Sequence, residues 1–307
     1  MNRAPTANLA ASVHQRLLNL SQERREDFNL VLTRYAIERL LARLAQAGYA
    51  GQFVLKGALL FAIWTGRLHR PTRDLDLLGY GDSSEEKLGK LFKDLCAVEM
   101  KADGLVFDPD RVRVTEIREE QEYGGQRVHL LATLGRARIP LQIDIGFGDA
   151  VTPAAEQVEY PALLELPGPR LWAYPKESVV AEKLHALVAL GVLNSRMKDF
   201  YDVWTMAQAF SFDGHTLCRA IRSTFERRRT EIPSSAPAGL TAEFAGQADK
   251  IVQWKAFLAR NRLDVGGAEF ARVIDDLGDF LLPPLSAIAG GQDFGKVWPA
   301  QGPWTTA

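Results

Sequence analysis

The sequence predicts an α+β protein: a small mixed β-sheet core with flanking helices, followed by a helical C-terminal domain. Three observations carry this. A short apolar strand, Phe53-Val54-Leu55, is joined by one short helix to an acidic strand, Asp74–Leu78. The run Pro140–Ile145 alternates, with Leu141, Ile143 and Ile145 on one face and Gln142 and Asp144 on the other. After Pro175 the apolar residues recur at helical rather than strand spacing. The expected organisation is N-terminal helices packing on the core over 1–50, the sheet core over 51–152, the helical domain over 153–289 and an extended or loose tail over 290–307.

In chain order, Ala11–Leu20 reads as a short helix. Glu26–Ala47 reads as a longer one, with Leu30, Ile37, Leu41 and Leu44 at helical spacing, stopped by Gly48-Tyr49-Ala50-Gly51. Gly57 opens a helix to about Thr65, and Gly66-Arg67 closes it. Arg70-Pro71-Thr72-Arg73 is an extended lead into the acidic strand, and Ser84–Leu95 returns as a helix. Strands fill 106–145, with a hairpin turn expected at Tyr123-Gly124-Gly125. The proline-bearing run 153–175 marks a boundary. Helices are then expected over 176–190, 198–209, 215–226, 241–259 and 268–281.

Of the 307 residues, 47% are hydrophobic and 24% charged, as in an ordinary globular protein. The net charge of −1 gives no global field toward nucleic acid, so any such contact must be local. The best local candidate is the basic helix end Arg219, Arg222, Arg227, Arg228 and Arg229, a pattern that otherwise serves as a solvated face. Cys96 and Cys218 lack metal-type spacing and read as buried thiols in a reducing compartment. The five histidines do not cluster at ligand spacing. No apolar run reaches the about 18 residues of a membrane span, and the N-terminus has no signal-peptide core, so no membrane partner and a cytoplasmic location are expected.

The chemistry is concentrated in carboxylates. Asp74 and Asp76, two apart on a strand, share a face and suit one divalent cation. Asp144 stands on a second strand between Ile143 and Ile145, where an unpartnered carboxylate is costly. Three such carboxylates on adjacent strands would hold Mg2+ for metal-assisted transfer; singly, each reads as a strand-end aspartate bonded to backbone or to Arg73. The Lys56-Gly57-Ala58 turn can present backbone N–H groups to a phosphate. Lys56 is either a phosphate contact or a solvated strand-end lysine. Asp149 follows Gly148 in a loop and is peripheral.

Lys183 emerges from an apolar helical stripe formed with Val179, Leu187 and Leu190. It either snorkels at the stripe's edge or points inward to neutralise triphosphate charge. Asp199 and Asp202, three apart, share a helical face. Either could pair with Lys183 or act as base toward an acceptor hydroxyl, and Asp199 also suits the helix dipole.

Five segments in order, Phe53-Val54-Leu55-Lys56-Gly57-Ala58, Arg70-Pro71-Thr72-Arg73-Asp74-Leu75-Asp76, Asp144-Ile145-Gly146-Phe147-Gly148-Asp149, Ala181-Glu182-Lys183-Leu184 and Lys198-Asp199-Phe200-Tyr201-Asp202, resemble the AbiEii/AbiGii-type nucleotidyltransferase toxins of the polymerase-beta-like superfamily. The resemblance implies a nucleotidyltransferase core. It implies a toxin of a toxin–antitoxin or abortive-infection (phage defence) system, with a cognate antitoxin, that uses Mg2+ and a nucleoside triphosphate. It further implies transfer of a nucleotide, with pyrophosphate release, to the 3′ end of tRNA. By the same resemblance Asp74 and Asp76 hold metal, Lys183 contacts the triphosphate, and Asp199 or Asp202 supports catalysis. The strand and turn positions add Lys56, Gly57, Ala58 and Arg73 as nucleotide-binding candidates and Asp144 as the third metal ligand. One departure is visible. Many superfamily members carry Gly-Ser or Gly-Gly at the turn, and Gly57-Ala58 forgoes the serine hydroxyl. The same site would also serve transfer to a small molecule such as an aminoglycoside, which requires an acidic acceptor pocket. A non-catalytic binding protein on the same fold is the remaining alternative.

Overall fold

The computed structural model describes residues 5–100, 103–117 and 124–306, with backbone alone for 5–8. The chain divides into two compact units, Met1–Gly148 with Glu156–Ala173, and Asp149–Ala155 with Tyr174–Ala307.

The first unit opens with α1 (Pro5–Arg24) and α2 (Phe28–Gln46). Asp27 caps α2, its Oδ1 accepting the Leu30 N–H at 3.1 Å. There follow β1 (Phe53–Lys56), a 3₁₀ turn Gly57–Leu59, α3 (Leu60–Thr65), β2 (Asp74–Gly79) and α4 (Glu85–Ala97). Then come β3 (Leu105–Ile117), β4 (Gly125–Leu134), β5 (Ala137–Phe147), β6 (Glu156–Glu159) and β7 (Arg170–Ala173). The seven strands form one mixed sheet in the order β3-β4-β5-β2-β1-β7-β6. β2 runs parallel to β5 and β1 parallel to β7; the other neighbours are antiparallel. Of the turn foreseen at Tyr123-Gly124-Gly125, Tyr123 lies outside the described residues, while Gly125 opens β4 and pairs with Ile117. The proline-bearing run returns to the sheet: β6 and β7 extend it beyond β1.

Helix α2 differs from a one-faced amphipathic helix. Every residue from Val31 to Leu44 is buried, the charged ones included. A buried charge must be partnered. Arg43 bonds Asp103 at 2.6 Å, Arg39 donates to the Pro167 carbonyl at 2.9 Å, and Glu38 accepts the Leu163 N–H at 2.8 Å. Burial, only partly offset by Arg39, lifts the Glu38 carboxyl to about 7. These side chains tie α2 to the loops that precede β3 and lie between β6 and β7.

The second unit contains α5 (Lys176–Leu190), α6 (Met197–Ala209), β8 (Phe212–Asp213), α7 (Gly214–Arg227), α8 (Ala242–Ala245), α9 (Ala248–Asn261), α10 (Phe270–Ala289), β9 (Lys296–Trp298) and β10 (Thr305–Thr306). The single helix expected over 241–259 is broken at Gly246-Gln247, where Gln247 is extended and starts α9. Helix α10 does not stop at Leu281 but runs through Pro283 and Pro284 to Ala289. Proline 284 has no N–H for the Phe280 carbonyl four residues back. That carbonyl is instead met by the Trp304 indole Nε1–H at 2.9 Å. Residues 290–306 are therefore not loose. β9 joins β8 and β10 in a three-stranded sheet, and buried Trp298 donates to the Ala207 carbonyl at the end of α6 at 2.9 Å.

Candidate active site

Cross-strand register builds the first part of the site. Lys56 of β1 partners Asp76 of β2, Asp76 partners Asp144 of β5, and Asp144 partners Arg127 of β4. Direct partners point to the same face, with strands about 4.8 Å apart. Four strands thus present one line of charge across the sheet: positive, negative, negative, positive. One step back, Asp74 partners Gln142, which partners His129. The intervening Leu75, Leu77, Ile143 and Ile145 are buried on the other face, which fixes the register. Asp74 is exposed, as is Arg73 beside it, and Asp76 is half-buried.

Gly57 sits at φ +77°, where a residue with a side chain is strained. A Cβ there would also stand only 2.8 Å from Cγ of Asp76. The missing side chain lets the Asp76 carboxylate lie against the Gly57-Ala58 turn, so the two motifs meet. Lys56 is half-buried and Ala58 buried.

The third carboxylate is placed differently from expectation. Asp144 lies on the same face as Asp74 and Asp76, but Arg127 grips both its oxygens, Nε to Oδ1 at 2.8 Å and Nη2 to Oδ2 at 2.7 Å. Among the described residues no group of three His, Cys, Asp or Glu side chains stands close enough to hold a metal ion. The donors still suit a hard divalent cation such as Mg2+, which is bound by one or two carboxylates together with substrate phosphates. Asp74 and Asp76 supply two.

The second unit holds a separate charged cluster. Lys183 of α5 bonds Asp199 Oδ1 at 2.7 Å and Asp202 Oδ2 at 2.8 Å, both on one face of α6. Arg196 completes it, its Nε 2.7 Å from Asp199 Oδ2. Both aspartates are fully buried, whereas Lys183 keeps 15% of its side chain exposed. Burial alone would raise the Asp199 carboxyl, but Lys183 and Arg196 outweigh it and hold it below the ordinary carboxylate range. Of the alternatives left open by the sequence, pairing with Lys183 is the one observed, for both aspartates.

Two groups make contacts that sequence reasoning did not foresee. Arg127 is one. The signal that could have found it is Gly135-Arg136, a two-residue turn that sets Leu134 opposite Ala137 and, counted outward, Arg127 opposite Asp144. Arg228 is the other: it turns inward from the basic helix end to bond Asp149 at 3.0 Å and the His185 Nδ1 at 3.2 Å. Because Arg228 can only donate, His185 Nδ1 accepts and its Nε2–H donates to Thr230 at 2.8 Å. Burial first and Arg228 second push His185 down to about 4. Arg219, Arg222, Arg227 and Arg229 remain exposed.

A family profile described as "Nucleotidyl transferase AbiEii toxin, Type IV TA system" matches residues 39–275. The chain belongs to this family. It is an AbiEii-type nucleotidyltransferase, a toxin–antitoxin protein by family, and the Gly57 turn, Asp74, Asp76, Asp144, Lys183, Asp199 and Asp202 all fall within the matched region. No curated protein matches it. Among solved structures, JHP933 from Helicobacter pylori aligns at 14% identity over 82% of this chain and 90% of its own, with a TM-score of 0.45. A candidate nucleotidyltransferase from H. pylori aligns at 15% identity over 86% and 97%, with a TM-score of 0.46. No helix among the described residues of the AbiEii-family chain is long and apolar enough to cross a membrane.

Proposed function

We propose that this AbiEii-family enzyme is Mg2+-dependent and transfers a nucleoside monophosphate from a nucleoside triphosphate to the 3′ end of tRNA, releasing pyrophosphate. It acts in the cytoplasm as the toxin of a toxin–antitoxin or phage-defence system. The observation that carries the reading is the line Lys56–Asp76–Asp144 beside Asp74, set against the Gly57-Ala58 turn. Asp74 and Asp76 would hold the cation, and Asp144 would join them on release from Arg127. When bound, the cation supplies charge neutralisation of the triphosphate and activation of the attacking hydroxyl. Lys56, Arg73 and the backbone of Gly57 and Ala58 bind the phosphates. Lys183 would contact the triphosphate. Asp199 and Asp202 fix its position through their ion pairs with it, and Asp199, held below the ordinary carboxylate range, is a poor base near neutral pH.

The test incubates the protein with each labelled nucleoside triphosphate, Mg2+ and total tRNA, beside Asp74→Ala. Label is expected on tRNA with one nucleotide preferred, and none with the variant. Absence of transfer with every nucleotide, or equal transfer by the variant, would remove the reading.

A further inference from the structure

The Arg127–Asp144 pair does more than satisfy a charge. Strand order β4-β5-β2 puts Arg127 and Asp76 on opposite sides of Asp144 in one register line. A carboxylate whose two oxygens are both taken by a guanidinium on β4 cannot at the same time turn toward β2. Gln142 adds a longer contact to the same Asp144 oxygen that Arg127 Nη2 holds, at 3.4 Å. This accounts for a sheet face that carries three carboxylates and yet assembles no trio.

Asp76 and Asp144 are like charges on adjacent strands, and the position needs positive charge nearby. Without a bound cation, Arg127 supplies it to Asp144 and Lys56 stands beside Asp76; a bound divalent cation would supply it to both carboxylates. The pair is only part-buried, with 37% of the Arg127 side chain and 23% of the Asp144 side chain exposed. Ion pairs of that exposure are weak enough to be exchanged.

We propose that Arg127 is a latch on the third carboxylate: a positioning residue that holds Asp144 away from Asp76 until a divalent cation is loaded, whereupon Asp144 leaves Arg127 and turns to the cation. The inference rests on the reading of Asp74 and Asp76 as metal ligands. Because the latch competes for Asp144, it weakens cation affinity in proportion to its own strength.

The test titrates Mn2+ into the full chain, with and without a non-hydrolysable nucleoside triphosphate, and follows free Mn2+ by electron paramagnetic resonance. Arg127→Met is expected to bind Mn2+ about threefold to tenfold more tightly than the unaltered protein. Arg127→Lys, which keeps the charge but not the fork, is expected to fall between. Asp144→Asn should bind more weakly and lose all sensitivity to residue 127. An independent readout uses the unaltered protein. The Arg127 Nε–H resonance, identified by its absence in Arg127→Lys, should be shifted by its bond to Asp144 and move to a solvent-like position on addition of Mg2+. Equal affinity for the unaltered protein and Arg127→Met, or an Nε–H signal unmoved by saturating Mg2+, overturns the latch and leaves the metal site standing. Failure of every form to bind Mn2+ overturns the metal site, and the latch with it.

Discussion

The Asp76 carboxylate occupies the space where Gly57 would carry a side chain: a Cβ at Gly57 would fall 2.8 Å from its Cγ and 2.9 Å from its Cβ. Strand β2 and the turn after β1 are thus fitted to one another at a residue proposed to hold the cation. The fit depends on a positive φ and on the absence of a Cβ at Gly57.

Gly57→Ala should therefore impair chemistry more than folding. Strain at the turn is expected to cost about 1–3 kcal/mol of stability, while displacement of Asp76 lowers nucleotidyl transfer by about 100-fold. The check is a melting curve beside a transfer assay on the same preparation. Full activity in a folded Gly57→Ala protein would contradict the fit.

Lys183 stands between two fully buried aspartates, and its loss leaves Asp202 without that partner. Lys183→Met is expected to destabilise the protein by about 3 kcal/mol or more, read as a lower urea midpoint at unchanged slope. Asp202→Asn should cost less, since Lys183 still bonds Asp199.

His185 gives a pH signature. Its folded pKa is lowered to about 4 from 6.5, so between those values the unfolded chain takes up a proton that the folded protein refuses. Its contribution to stability is complete above pH 6.5 and is lost as pH falls toward 4. In His185→Gln this segment of the stability–pH curve should flatten, measured as urea midpoints at half-unit steps. An unchanged slope would mean that His185 is not the group responsible.

Trp304 and Pro284 should be coupled through the Phe280 carbonyl. Trp304→Phe removes the indole donor and is expected to cost about 1 kcal/mol. In a Pro284→Ala background the alanine N–H can take the same carbonyl, so the cost of Trp304→Phe should shrink. A double-mutant cycle by thermal unfolding reads the difference, and strict additivity would refute the coupling.

How far the sequence was legible depends on the range of the interaction. The strand–turn–helix of Phe53–Thr65, the acidic strand and the helices α5, α6 and α7 follow from local spacing, and the structure has them within a few residues. Local rules failed where distant groups compensated. The helix expected to end at Leu281 runs on through two consecutive prolines, and Trp304 meets the carbonyl that Pro284 cannot. Helix α2 is buried all round although Glu38, Arg39 and Arg43 are charged, which helical spacing of the leucines alone does not reveal. Their partners at Leu163, Pro167 and Asp103 lie 60 or more residues away along the chain.

The candidate site divides the same way. By itself the sequence determined which residues are candidates for the chemistry: the shared face of Asp74 and Asp76 is a consequence of the two-residue strand period, and the shared face of Asp199 and Asp202 of the helical one. It also held, in the Gly135-Arg136 turn, enough to set Arg127 opposite Asp144. Only the tertiary structure decided what those residues touch. The parallel pairing of β2 with β5 joins segments nearly 70 residues apart with no connecting turn to count from, so the alignment of Asp76 with Asp144 had no local signature. Nor did the buried charges that bind Lys183 to both aspartates, because periodicity fixes the direction of a side chain but not the partner it meets.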